Sequence, residues 1–291
     1  VFHIVSLALH ALCSVLLFLL LARLFGALVP SVVVALAFAL HPVTVEPVAW
    51  IGEQKAVLAS CFALASILAY VEAARGHGRV WWRLSWIAFL LAVLSKPTVT
   101  MLPLLFLVLD AWPLRRLSAR TVREKWPFLL VAAVSGAVTL ISEQQGGGAP
   151  RLSRAELLAW PLRVGYVLVF YLRKLLWPFP LSSAYPQPEP LSLSNPLVAG
   201  SLVFVLALTA ALIALRRRAP AGLAAWSFFV FALPPTLPPV PYPWAIAFDH
   251  YLYLPMAGFA IALGAGASAG WRRLARMPIV ARLACLPLLA G

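Results

Sequence analysis

The chain has 291 residues, 63% hydrophobic and 11% charged, with a mean hydropathy of +0.94. That balance leaves too little polar surface to coat a water-soluble globule and places the chain in a lipid bilayer. Its formal charge of +14 invites a nucleic-acid reading, but the basic residues are spaced between apolar runs and not gathered on one water-facing patch, so the charge reads as a topology signal and nucleic acid is excluded as a partner.

Taken in order, the apolar runs are measured against the roughly 20 residues that cross a bilayer core. They predict an all-α, polytopic transmembrane protein with about nine to ten spans, at residues 2–22, 27–40, 56–74, 84–94, 98–112, 126–141, 197–215, 222–233 and 251–269, with a final partial span. The run at 157–176 is also helical in pattern. Counting it as a span would move Arg216, Arg217 and Arg218 to the opposite side from the other basic loops, so it is predicted to lie on the outer face as an interfacial helix. Sixteen of the 23 lysines and arginines then share the inner side, the exceptions being Lys55, Lys96, Arg151, Arg154, Arg163, Arg173 and Lys174, in keeping with the positive-inside rule.

The sequence opens within one apolar run and stops within another, which reads as a fragment: a single membrane domain over 1–291 that lacks at least one upstream helix. Cys13, Cys61 and Cys285 all fall inside apolar runs, where thiols behave as small hydrophobes and show no disulfide framework or metal-ligand spacing. Trp81, Trp82, Trp112, Trp126 and Trp244 suit an aromatic belt.

Most of the unusual chemistry falls on the predicted outer side: the loop from His41 to Lys55, Lys96, the loop at 144–148, the stretch 173–190, and Asp249 with His250. Glu46 precedes Pro47, a pairing that suits a first helical turn and its positive dipole end. However, Trp50 and Glu53 follow at four and seven residues, on one helical face with it, and a carboxylate this near lipid is functional by default. Asp249 directly precedes an apolar run, where a carboxylate serves as an N-cap or belongs to a site. Lys96 opens an apolar helix, the end of a helix that welcomes an anion, so it either recruits a phosphate or snorkels to headgroups. Arg173 and Lys174 read as interfacial anchors or phosphate contacts, and Asp110 as an ion pair with Arg115 and Arg116.

Five motifs in series go further: His41-Pro42-Val43-Thr44-Val45-Glu46-Pro47-Val48-Ala49-Trp50, Leu94-Ser95-Lys96-Pro97, Leu109-Asp110-Ala111-Trp112-Pro113-Leu114, Leu176-Trp177-Pro178 with Tyr185-Pro186, and Asp249-His250-Tyr251-Leu252-Tyr253-Leu254-Pro255. In order and spacing they resemble the membrane part of the transmembrane and tetratricopeptide-repeat O-mannosyltransferase-like family, including its bacterial relatives. The resemblance implies a GT-C fold and transfer of a mannose-like hexose from a polyprenyl-phosphate carrier to a protein hydroxyl on the non-cytoplasmic face of a bacterial inner membrane. Membrane lipid, the lipid-linked sugar and a protein or peptide acceptor are the implied partners. In such enzymes a carboxylate of the first outer loop is the usual base, and that loop would lie upstream of Val1. The repeats would lie downstream, and no 34-residue period occurs within the 291 residues.

Two departures stand out. The family tends to read Glu-Arg-Lys-Asp where this chain has Glu53-Gln54-Lys55-Ala56, and arginine is commoner where this chain has His250, a titratable group.

Phosphate-linked sugar transfer builds negative charge on the leaving phosphate and positive character on the sugar, while the acceptor hydroxyl loses a proton. Cations and a carboxylate are therefore required. Glu46 and Asp249 are the expected catalytic residues, and His41, Trp50, Lys55, Lys96, Arg173, Lys174 and His250 the expected substrate contacts. A divalent metal stays open as a cofactor, but no compact carboxylate cluster in the sequence assigns residues to one. Two other classes fit the composition: a transporter or lipid flippase, which calls for internal repeats and polar groups at the midplane, and a non-catalytic membrane anchor for a repeat domain.

Overall fold

The computed structural model describes residues 2–145, 154–237 and 245–276. The regular elements among these are helices, with one isolated antiparallel bridge between Tyr185 and Ala247. They are α1 (Phe2–Phe25), α2 (Leu28–Ala39), α3 (Val45–Ala49), α4 (Gln54–Ala74), α5 (Arg79–Ser95), α6 (Leu102–Ala111), α7 (Ala119–Arg123), α8 (Trp126–Gln145), α9 (Arg154–Leu176), α10 (Pro196–Ala214), α11 (Pro220–Ala232) and α12 (Met256–Ala275), joined in places by single 3-10 turns. Arg151, Trp244, Cys285, the glycines at 146–148 and the final partial span lie outside the described residues.

Three segments are long and apolar enough to cross a membrane: Phe2–Phe25, Ile51–Ala74 and Pro196–Ala214. A fourth is a pair, Leu28–Ala39 with Pro42–Ala49, bent by 54°. The break falls where Pro42 removes a backbone donor. Among the described residues the remaining expected spans coincide with helices that are shorter or more polar, so three helices, or four with the bent pair, are long and apolar enough to cross a membrane and the count of nine to ten is not reached.

The packed helices have two distinct ends. α1 and α4 are parallel: the Gln54 amide donates to the Phe2 carbonyl at one end (3.5 Å), and Arg75 to the Leu24 carbonyl at the other (3.5 Å). α5 returns antiparallel after a turn in which Gly76 and Gly78 take φ of +87° and +102°, a region open to glycine at little cost. Ser66 and Ser85 lock the α4–α5 pair by donating to each other's carbonyl at 2.7 and 2.9 Å, which satisfies two buried hydroxyls where no water competes. In α1, His10 bridges the Ala39 carbonyl (3.0 Å) and the Tyr253 hydroxyl (2.7 Å), so α1, α2 and the approach to α12 share one polar pin. Gly258 lets α12 close on α11, because a Cβ there would sit 2.6 Å from Phe228 Cδ1.

Basic residues gather at one end. Arg272 donates to the Phe25 carbonyl (3.1 Å) and Arg116 to the Ala74 carbonyl (3.4 Å), while Arg23 pairs with Glu72 (3.4 Å). Asp110 is fully buried there. It accepts from Lys125 (2.7 Å) and Tyr70 (2.6 Å) and faces Arg116 Nε at 3.3 Å. The expected Arg115 partner is replaced by Lys125, which the chain returns from α7; Arg115 itself is exposed and takes a positive φ of 54°.

Helix α9 is tied along its length to the opposite end. Trp160 donates to the Leu237 carbonyl (3.1 Å), Tyr171 to the Phe248 carbonyl (3.0 Å), and His41 meets the Leu175 carbonyl (3.0 Å). Trp160 and Tyr171 are about 17 Å apart at 1.5 Å per residue, so α9 reaches that end at well-separated points, and it also packs on α10, where Gly165 approaches Leu202.

Candidate functional site

The end covered by α9 is also where α2, α5 and α11 finish and where α4 and α12 begin. Its centre is His250, in the 3-10 turn Asp249–Leu252. The Glu46 carboxylate accepts from the His250 backbone N–H (2.8 Å) and lies 3.0 Å from its Nδ1. The other ring nitrogen, Nε2, faces Glu53 at 3.7 Å. Glu53 in turn pairs with Lys96 Nζ at 2.5 Å, and Lys96 lies 5.4 Å from the Tyr251 ring centre. The result is an alternating chain of charge, Glu46, His250, Glu53, Lys96, with all four side chains largely buried. Such a row tolerates burial because each member answers its neighbour.

A continuous helix does not create this row. Trp50 leaves the helical region at φ −85°, ψ 111°, between α3 and the turn Ile51–Glu53. The helical-face relation of Glu46, Trp50 and Glu53 is therefore corrected: the two carboxylates converge because the break lets them approach His250 from different sides. Trp50 remains half exposed, its ring 5.9 Å from that of His250.

Asp249 sits beside this row. Its Oδ2 accepts from the Tyr185 hydroxyl (2.9 Å) and the Ser182 N–H (3.4 Å), while its Oδ1 is buried without a hydrogen-bond partner. It caps no long helix, since α12 begins only at Met256 behind Pro255; the N-cap reading fails because the chain makes a separate 3-10 turn first. Burial raises the Asp249 carboxyl above its usual range, opposed by the Tyr185 and Ser182 hydrogen bonds and by Lys174. Burial, and after it the same carboxylate, push the Tyr185 phenol up. Lys174 is buried, donates to the Pro180 carbonyl and lies 4.4 Å from the Tyr185 ring centre. Burial lowers the Lys96 ammonium, with Glu53 opposing that shift and Lys55 adding to it.

The remaining expected residues have different surroundings. His41 is a strut: Nδ1 accepts from the Val43 N–H (3.3 Å), which leaves Nε2 to donate to Leu175. Lys55 and Arg173 are exposed at the rim. A cavity of about 20 Å³ touches Ser60, Lys96, Thr98, Thr236, His250 and Tyr251, room for about one water among several polar partners. Among the described residues, no group of three or more His, Cys, Asp or Glu is arranged to hold a metal.

Sequence reasoning did not assign Glu53, Tyr185 or Tyr251 to the site. Glu53 was visible in its seven-residue spacing from Glu46, and Tyr185 in its motif with Pro186. Neither spacing carries the long-range contacts that give these residues partners.

Comparison with protein families, with curated proteins and with solved structures returns no match.

Proposed function

We propose that this chain is the membrane part of a GT-C type glycosyltransferase that moves a hexose from a polyprenyl-phosphate carrier to an acceptor hydroxyl, on the non-cytoplasmic side of a bacterial inner membrane. The observation that carries the reading is the convergence of Glu46, Glu53, Asp249, His250, Lys96 and Lys174 at one end of the bundle, opposite the end that carries Arg23, Arg75, Arg116 and Arg272. The positive-inside rule assigns the arginine-bearing end to the cytoplasm. On this reading the chain supplies most of the nine to ten spans through helices that cross only when packed together, with α9 along the outer interface.

The reaction breaks the bond between the sugar's anomeric carbon and the phosphate oxygen and forms one to the acceptor oxygen; the hydroxyl proton passes to a carboxylate, and the polyprenyl phosphate leaves with the bonding electrons. Asp249 suits the proton-accepting part, because its raised carboxyl holds a proton more readily than an exposed one and one oxygen is uncommitted. Lys174 and Lys96 suit the leaving phosphate. Glu46 positions the Asp249 turn through His250.

Membranes carrying the complete protein, a labelled polyprenyl-phosphate hexose and hydroxyl-bearing peptides test this directly. Transfer is expected, and Asp249→Asn should lower turnover by about 10²-fold or more. Absence of transfer from every such donor, with the protein folded, overturns the proposal.

A further inference from the structure

A second site lies at the arginine-bearing end, away from Glu46, Glu53 and Asp249. Between α6 and α11 is a groove of about 480 Å³, lined by apolar side chains including Leu104, Val108, Leu223 and Phe231, with Trp112 and Arg216 at its mouth. The volume is that of a small-molecule site. The lining runs from Leu104 to Trp112 on one wall and from Pro220 to Phe231 on the other, about 12 to 16 Å at 1.5 Å per residue. Half the ~30 Å hydrocarbon core of a bilayer is about 15 Å. The groove thus reaches one leaflet deep, no farther.

Its mouth carries strong positive charge. Arg216, Arg217 and Arg218 are exposed, and none of the three forms an ion pair among the described residues. Arg115 is exposed three residues beyond Trp112. Nearby carboxylates are already committed, Asp110 to Lys125 and Arg116, Glu124 to Arg116 and Arg120. An apolar slot of one-leaflet depth beneath uncompensated guanidinium groups matches a molecule with an acyl chain and an anionic phosphate at one end.

We propose that the α6–α11 groove holds one anionic diacyl phospholipid from the leaflet on the arginine side, one of its two chains along Leu104, Val108, Leu223 and Phe231 and its phosphate on Arg216 to Arg218. The inference rests on the membrane placement of these helices and is independent of glycosyl transfer, so a failed transfer assay leaves it standing.

Native mass spectrometry of the complete protein, extracted in mild detergent and exchanged into phosphatidylglycerol or phosphatidylcholine, tests it. One retained phosphatidylglycerol per chain is expected. Its occupancy should fall at least tenfold in the variant R216A/R217A/R218A, and also in Ala111→Trp, which narrows the mouth from an exposed position and keeps every arginine. The control R79A/R83A, basic residues at the same end outside the groove, should retain the lipid. Equal retention of phosphatidylcholine would mean an annular lipid only, and full occupancy in both the arginine and the Ala111 variants would mean a site elsewhere; either overturns the proposal. Displacement of the lipid by inorganic phosphate alone would show a bare anion site and overturn it too.

Discussion

Glu46 and His250 are 204 positions apart, yet the carboxylate of one engages the other twice, accepting from its backbone N–H at 2.8 Å and facing its Nδ1 at 3.0 Å. A two-point contact fixes orientation as well as distance. It couples the bent segment after α2 to the turn before α12, and therefore sets where Asp249 stands.

Replacing Glu46 by Gln keeps an acceptor for the His250 N–H and loses the charge; replacing it by Ala loses both contacts. Hydrogen bonds to a charged group contribute about 1.5–3 kcal/mol each, so Glu46→Ala, which loses two, should cost about 3 kcal/mol or more of stability and Glu46→Gln clearly less. Thermal unfolding in detergent reads this order. Equal melting of both variants and the unaltered protein would show that the contact does not clamp the two segments.

The pH dependence of transfer follows from the sign of the Asp249 shift. Burial raises the carboxyl, so a base role gives activity that appears only as pH rises through that raised value. The Tyr185 hydroxyl opposes the shift by stabilising the carboxylate. Tyr185→Phe should therefore move the acid limb of the kcat/KM profile to higher pH, with little change on the plateau. An unmoved limb, with activity otherwise intact, would remove Asp249 from the role of base.

Lys125 and Asp110 form a fully buried pair at the arginine end. Lys125→Met leaves a buried carboxylate with only Tyr70 and the Arg116 guanidinium near it, and breaking such a pair costs about 3–5 kcal/mol. A lower yield of monodisperse protein and an earlier thermal transition are the expected readouts. The double change Lys125→Met with Asp110→Leu should recover much of the loss, since an apolar pair of similar volume is often neutral.

Gly258→Ala tests the α11–α12 contact. The added Cβ would meet Phe228 at Cδ1, Cβ and Cγ, all within 2.8 Å, and overpacking of this kind costs about 1–3 kcal/mol. Pairing it with Phe228→Leu should relieve part of the cost. Destabilisation that is purely additive would mean the two positions do not press on each other.

Sidedness is open to labelling. With Cys13, Cys61 and Cys285 replaced, a single cysteine at Lys55 should react with an impermeant reagent from one side of sealed vesicles and one at Arg217 from the other. Reaction of both from the same side would separate the charge pattern from the topology.

The sequence by itself determined the helical class, the presence of helices apolar enough to cross a membrane and the clustering of most arginines in the loops at one end. Those properties are local or compositional: hydropathy and the spacing of charges need no tertiary contact to be read. Tertiary structure alone decided that Asp249 caps no long helix, that Asp110 meets Lys125 and not Arg115, that His41 is a strut, and that Glu53 and Tyr185 join the site. Each of these depends on which distant groups a buried polar atom finds once water is excluded. A buried carboxylate must be answered by some donor, but only the packing of α4, α5, α9 and the turn before α12 determines which one.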